Sequence, residues 1–71
     1  MEIKDFIENE YYLWDWKNSQ CIMLCIKVND ILKLKVVKDM THDCGIHDIL
    51  DIKYQYDACR PLTQLEKIKY L

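Results

Sequence analysis

Between Cys21 and Lys38 the chain reads CIMLCIKVNDILKLKVVK, two runs of mostly aliphatic residues separated by Asn29-Asp30. Such runs on either side of a short turn signal read as the two strands of a β-hairpin. Successive side chains of a strand point to opposite faces. Ile22, Leu24, Ile26 and Val28 therefore share one face of the first run, and Cys21, Met23, Cys25 and Lys27 the other. Only Lys27 is charged, and a strand that is apolar on both faces belongs in the middle of a sheet. In the second run Leu32, Leu34 and Val36 point inward, with Lys33, Lys35 and Val37 outward.

With the Ile/Leu row taken as the core-facing one, register becomes a test, because cross-strand partners share a face. A two-residue turn at Asn29-Asp30 would set Ile26 against Lys33 and so place the apolar row against lysines. The expectation is a three- or five-residue loop, or a bulge, that brings Ile26 opposite Leu34 or Leu32 and puts Cys25 opposite a lysine.

Upstream, Ile3, Phe6, Ile7, Tyr11 and Trp14 recur at helical spacing, which predicts an N-terminal helix over residues 2–9. Tyr11-Tyr12-Leu13-Trp14-Asp15-Trp16 is aromatic-rich and reads as a strand with Tyr12, Trp14 and Trp16 on one face; residues 17–20 form a turn. Downstream, 38–45 is a polar loop that holds the single glycine. Residues 46–56 alternate as a fourth strand, and Arg60-Pro61 breaks it. Thr63 and Glu66 have the spacing of a capping box, which opens a short helix with Leu65, Ile68 and Leu71 on one side. The fold class is α+β: an antiparallel three- to four-stranded meander with an N-terminal helix and a short C-terminal helix, in a single domain over residues 1–71.

A chain of 71 residues buries only about 60% of its unfolded surface. Metals, disulfides or a partner surface often supply the remaining stability in so small a core, so a homodimer or another oligomer is one expectation. The net charge of −2, from 10 basic and 12 acidic residues, provides neither a basic excess for nucleic acid nor a strongly acidic surface. Nine of the ten basic residues are Lys, and Gly and Pro occur once each; with abundant Ile and Tyr this is the output of A/T-rich codons. Three Glu and one Asp in the first ten residues do not suit a secretory leader, and no apolar run is long enough to span a bilayer. The expectation is a cytoplasmic protein, without a membrane role, whose cysteines are buried thiols or metal ligands.

Several constellations could carry chemistry. His42, Cys44 and His47, with Cys59 twelve residues further on, are the residue types of a tetrahedral zinc site, although the spacing lacks a Cys-x2-Cys pair. A cysteine nucleophile could be drawn from Cys44 or Cys59, with His42 or His47 as base and Asp43, Asp48 or Asp51 as orienting group; a domain this small can hardly wall a catalytic pocket, so no enzyme is expected. Lys27, Lys33, Lys35 and Lys53 fall on outward strand faces and could line an oligonucleotide-binding sheet, against which stand Asp51 on the same face and the scarcity of Arg. Tyr11, Leu13, Trp14 and Trp16 are the candidate partner contacts: Trp and Tyr are enriched at protein interfaces, and Tyr11 and Leu13 would form an exposed apolar strip if the segment is a strand. The same residues also suit the core of a small domain. The first functional expectation is a stand-alone, non-enzymatic protein-binding module that occupies a surface of a larger host protein, of the kind phages and mobile elements use as inhibitors and adaptors. A small nucleic-acid binder and a zinc-stabilised module are the alternatives.

Overall fold

The computed structural model describes residues 1–41 and 45–71. Five strands form one antiparallel sheet: β1 (Tyr11–Trp16), β2 (Ser19–Val28), β3 (Ile31–Asp39), β4 (Ile49–Asp51) and β5 (Cys59–Pro61), in the order β4-β3-β2-β1-β5. Two short helices, α1 (Ile52–Gln55) and α2 (Gln64–Tyr70), complete an α+β fold. No helix among the described residues is long and apolar enough to cross a membrane.

The central hairpin closes on the two-residue turn, not on a longer loop. Val28 pairs with Ile31 across Asn29-Asp30, whose φ values of 51° and 65° are those of a type I′ turn, the form that matches strand twist. Lys17-Asn18 closes β1 on β2 in the same way, with φ values of 48° and 68° and Trp16 opposite Ser19. The expected odd-length loop fails because the sulfur-bearing row of β2, not its Ile/Leu row, faces the main core. Cys25 lies opposite Leu34 and Met23 opposite Val36, while Ile26 and Leu24 lie opposite Lys33 and Lys35. Leu24 and Ile26 are half-buried beside those lysines, whose long aliphatic stems can cover apolar surface; the Lys33 ammonium itself pairs with Asp51. A bulge does occur, at the far end of the hairpin between Ile22 and Met23. It leaves Val37 as the extra residue, packed with Leu13, Ile22 and Leu62.

Two apolar clusters result, one on each face of the sheet. The larger gathers Phe6, Tyr12, Cys21, Met23, Cys25, Leu34, Val36, Ile52 and Cys59. The smaller consists of Leu13, Ile22 and Leu62, flanked by Tyr11, Val37, Met40 and Tyr70. Sulfur side chains suit such a core because they are polarisable and adapt to irregular gaps.

The N-terminal helix over 2–9 is absent. Only a 3-10 turn at Ile3–Asp5 forms, Phe6 is extended, and Asn9 has a φ of 71°. Two helical turns are too short to stand on propensity alone, and the sheet offers this segment better partners. The Asn9 N–H donates to the Cys25 carbonyl and the Cys25 N–H to the Glu10 carbonyl, which extends the edge of β1 along β2. Phe6 then drops onto Tyr12, ring centroids 4.7 Å apart, while Ile3 and Ile7 stay exposed.

The strand expected over 46–56 shrinks to Ile49–Asp51, followed by α1 and a 3-10 turn at Tyr56–Ala58. Ile52 and Tyr56, four residues apart, both pack on the larger core, a helical spacing that overrides the alternation. Arg60-Pro61 does not end the sheet either. It forms β5 against β1, where an edge position tolerates a residue without an N–H.

Candidate functional site

The pleat of β1 turns Tyr12, Trp14 and Trp16 to the larger core and Tyr11, Leu13 and Asp15 to the other face. Tyr12 is buried, and its hydroxyl accepts a 2.8 Å hydrogen bond from the Ile7 N–H; burial, more than any other influence, raises its pKa. Leu13, expected outside, is buried in the smaller core, and Tyr11 is partly buried against it. The reason is α2 and its leading loop: they cover that face, which the alternation alone leaves open. These two residues therefore do not form an exposed strip.

Trp14 and Trp16 behave differently. Towards the end of β1 the core thins, so Trp14 is partly buried and Trp16 is 48% exposed. The segment from α1 to the following 3-10 turn crosses above them. Together Trp14, Trp16, Tyr54, Gln55, Asp57 and Ala58 wall a groove of about 320 Å³. Tyr54 is 70% exposed at its rim. Lys17 Nζ lies 5.8 Å from the Trp16 ring centroid and Lys53 Nζ 5.0 Å from that of Tyr54. Asp57 is the single charged residue of the wall, and it makes no ion pair among the described residues. The Trp14 Nε1–H is out of contact with solvent and has no acceptor among the described residues, an unusual state for a buried indole donor. Tyr54 was hidden in the sequence by its place in an alternating run; the Ile52/Tyr56 spacing is the signal that could have located it on a helical turn.

A larger hollow of about 420 Å³ lies between Ile3, the start of β3 and the β4–α1 junction. Its polar groups are Lys33 and Asp51, which pair with each other, and Lys53. That pairing, chiefly the hydrogen bond from Lys33, lowers the Asp51 pKa.

The four lysines of the nucleic-acid alternative do not share a surface. Lys33 and Lys35 lie on the face of Ile26 and Leu24, whereas Lys27, opposite Leu32, is on the other, and Lys53 is in α1. Lys27 pairs with Glu8 at 3.7 Å and Lys33 with Asp51. Of the zinc alternative, His42 and Cys44 lie outside the described residues. His47 is exposed just before β4, and Cys59 is buried in β5, at the opposite end of the strand order. Among the described residues no three or more metal-binding side chains cluster.

The thiols at hand are poorly suited to nucleophilic chemistry. Burial, then Asp57, pushes Cys59 up to about 12, and burial, then Glu8, raises Cys25. A thiol so perturbed supplies little thiolate at neutral pH.

A second apolar surface was not expected. The capping box of α2 forms, with the Glu66 N–H donating to Thr63 Oγ1 at 3.2 Å and the Thr63 N–H to Glu66 Oε1 at 2.9 Å. The helix nevertheless turns its polar side to the body of the protein, through Arg60–Glu66 and Lys67–Glu10 ion pairs. Leu65, Ile68 and Leu71 face outward, at 78, 72 and 57% exposure.

No family model matches the chain, and neither the curated proteins nor the solved structures contain a match to it.

Proposed function

We propose that this chain is a non-enzymatic protein-binding module that works by occupying a surface of a larger partner, and that Trp14, Trp16 and Tyr54 form the contact. The observation that carries the reading is the concave aromatic groove with two exposed rings, Trp16 and Tyr54, at its rim. Aromatic side chains are the anchors that dominate interface energetics when a partner desolvates them, and a small core has little reason to leave two of them in water. Two further features support it. No charged side chain is buried among the described residues, and the groups whose pKa is most shifted are a buried thiol, Cys59, and the surface Arg60–Glu66 pair, not a catalytic cluster converging on a pocket. The lysines that an oligonucleotide would need are split between two faces, and two of the four, Lys27 and Lys33, are held in ion pairs. The A/T-type composition is what supports reading the module as one of the small inhibitors and adaptors of phages and mobile elements.

The test is affinity capture of the tagged protein from its native cell or infected host, beside a Trp16→Glu/Tyr54→Glu variant and a Leu65→Glu variant. A partner protein retained by the native chain and by Leu65→Glu, but lost by the double variant, is the expected result. Retention by the double variant, or loss with Leu65→Glu alone, would move the contact away from the groove.

A further inference from the structure

Resting on the protein-binding reading, we infer that the occupant of the groove is an extended, proline-bearing segment of the partner, whose backbone carbonyl accepts the Trp14 indole N–H and whose basic side chain meets Asp57.

Three ways of holding a peptide are open to a small domain: addition of a strand to a sheet edge, a helix laid in a long groove, and a polyproline II segment on aromatic rings. Both outer strands are poor templates for the first. β4 and β5 are three residues each, and β5 contains Pro61, whose carbonyl already accepts from Arg60. The second needs anchor pockets spread over two or more helical turns, and a hollow of about 320 Å³ walled by six residues is too short. The third fits. Flat Trp and Tyr faces take proline rings, and the segment arrives already extended, so little conformational entropy is lost on docking.

The unpaired donor then points to the same occupant. A polyproline II backbone makes no internal hydrogen bonds, so its carbonyls are free to accept from Trp14 Nε1–H, which has no acceptor among the described residues. That N–H is out of solvent contact, so docking of the segment has to shift a side chain of the wall before its carbonyl reaches the donor. Asp57, the one charge in the wall, selects a cationic neighbour of the prolines. Lys17 and Lys53 rest on the two rim rings, but exposed ammonium groups on flexible stems leave a ring face readily.

The experiment is a titration of the isotope-labelled full chain with three synthetic peptides: a proline-rich decamer ending in Arg, the same decamer ending in Gln, and a proline-free Ala/Ser decamer ending in Arg. The expected result is a downfield move of the Trp14 indole N–H resonance with both proline peptides. Affinity should be at least tenfold weaker for the proline-free one. Asp57→Asn should weaken the Arg-ended peptide three- to tenfold and leave the Gln-ended one unchanged. Trp16→Ala, at an exposed position that the fold does not need, should weaken both at least tenfold. The inference is overturned if the three peptides bind alike, if none moves the indole resonance, or if tetramethylammonium alone moves it as the peptides do, which would make the groove a cation cage. Where a captured partner depends on Trp16 and Tyr54 but is not displaced by the proline peptide, protein binding stands and this inference falls. Where no captured partner depends on those rings, the reading it rests on falls first.

Discussion

Cys25 lies directly across from Leu34 in the central strand pair, and both side chains are completely buried. This pairing settles which row of β2 is the core: the Cys/Met row, with Ile26 left opposite Lys33. Met23→Ala should therefore cost about 2–5 kcal/mol, the range for truncating a fully buried side chain. Ile26→Ala, on the lysine face, should cost less, because partial burial leaves less apolar area to lose. Urea denaturation of the two variants checks the order; equal losses would place the core on the wrong face.

Asn29 and Asp30 both hold positive φ, the αL region that Gly adopts freely, Asn and Asp tolerate, and other side chains find strained. Asp30→Gly gives the preferred Asn-Gly turn and is expected to raise stability by about 0.5 kcal/mol. Asp30→Val should lower it by about 1–2 kcal/mol, since a branched Cβ is worst tolerated there. Thermal melts of the two variants would distinguish this turn from a longer loop, in which both changes would be nearly silent.

Glu66 binds Arg60 through two hydrogen bonds of 2.7 and 2.6 Å, and that contact, with the Thr63 backbone next, lowers its pKa from about 4.5 to about 2. The folded chain thus releases this proton more readily than the unfolded one. Its contribution is present above the unfolded value and is lost as pH falls from about 4.5 through about 2. A carboxyl titration by NMR should place the Glu66 midpoint near the lower value, and Arg60→Gln should bring it back towards 4.5. An unshifted midpoint in the native chain would mean that the capping box and its ion pair do not persist in solution.

Leu65 and Ile68 are exposed, whereas Leu62, just before α2, is buried. Leu65→Gln and Ile68→Gln should each change stability by less than about 0.5 kcal/mol, while Leu62→Ala should cost about 2–5 kcal/mol. Thermal or urea melts decide this. A large loss from Leu65→Gln would show that α2 buries its apolar side instead.

Much of the fold was legible because it rests on local rules. The alternation of Tyr12, Trp14 and Trp16 marks β1, the runs around Asn29-Asp30 mark the hairpin, and Thr63 with Glu66 marks the start of α2. What was not legible depends on competition between segments. Periodicity cannot tell which of two apolar rows of β2 takes the core, and sulfur side chains read as the lesser hydrophobes although Cys21, Met23 and Cys25 all lie inside. The helical spacing of Ile3, Phe6 and Ile7 is real, but the Cys25 backbone takes the chain at Asn9 and Glu10. At the candidate site, Trp14 and Trp16 could be named from sequence alone. Leu13 was misplaced because nothing in β1 records that α2 folds back over it, and Tyr54 was missed because its neighbours alternate.

The most direct test of groove binding is photo-crosslinking in the native cell, with a benzophenone amino acid placed at Tyr54 and, separately, at Ile68. Both positions are exposed, so neither replacement should disturb folding. A discrete heavier species from position 54, lost when Trp16 is also changed to Glu, and none from position 68, is the expected result. Crosslinks from position 68 with none from 54 would contradict it and make the outer face of α2 the surface that meets the partner.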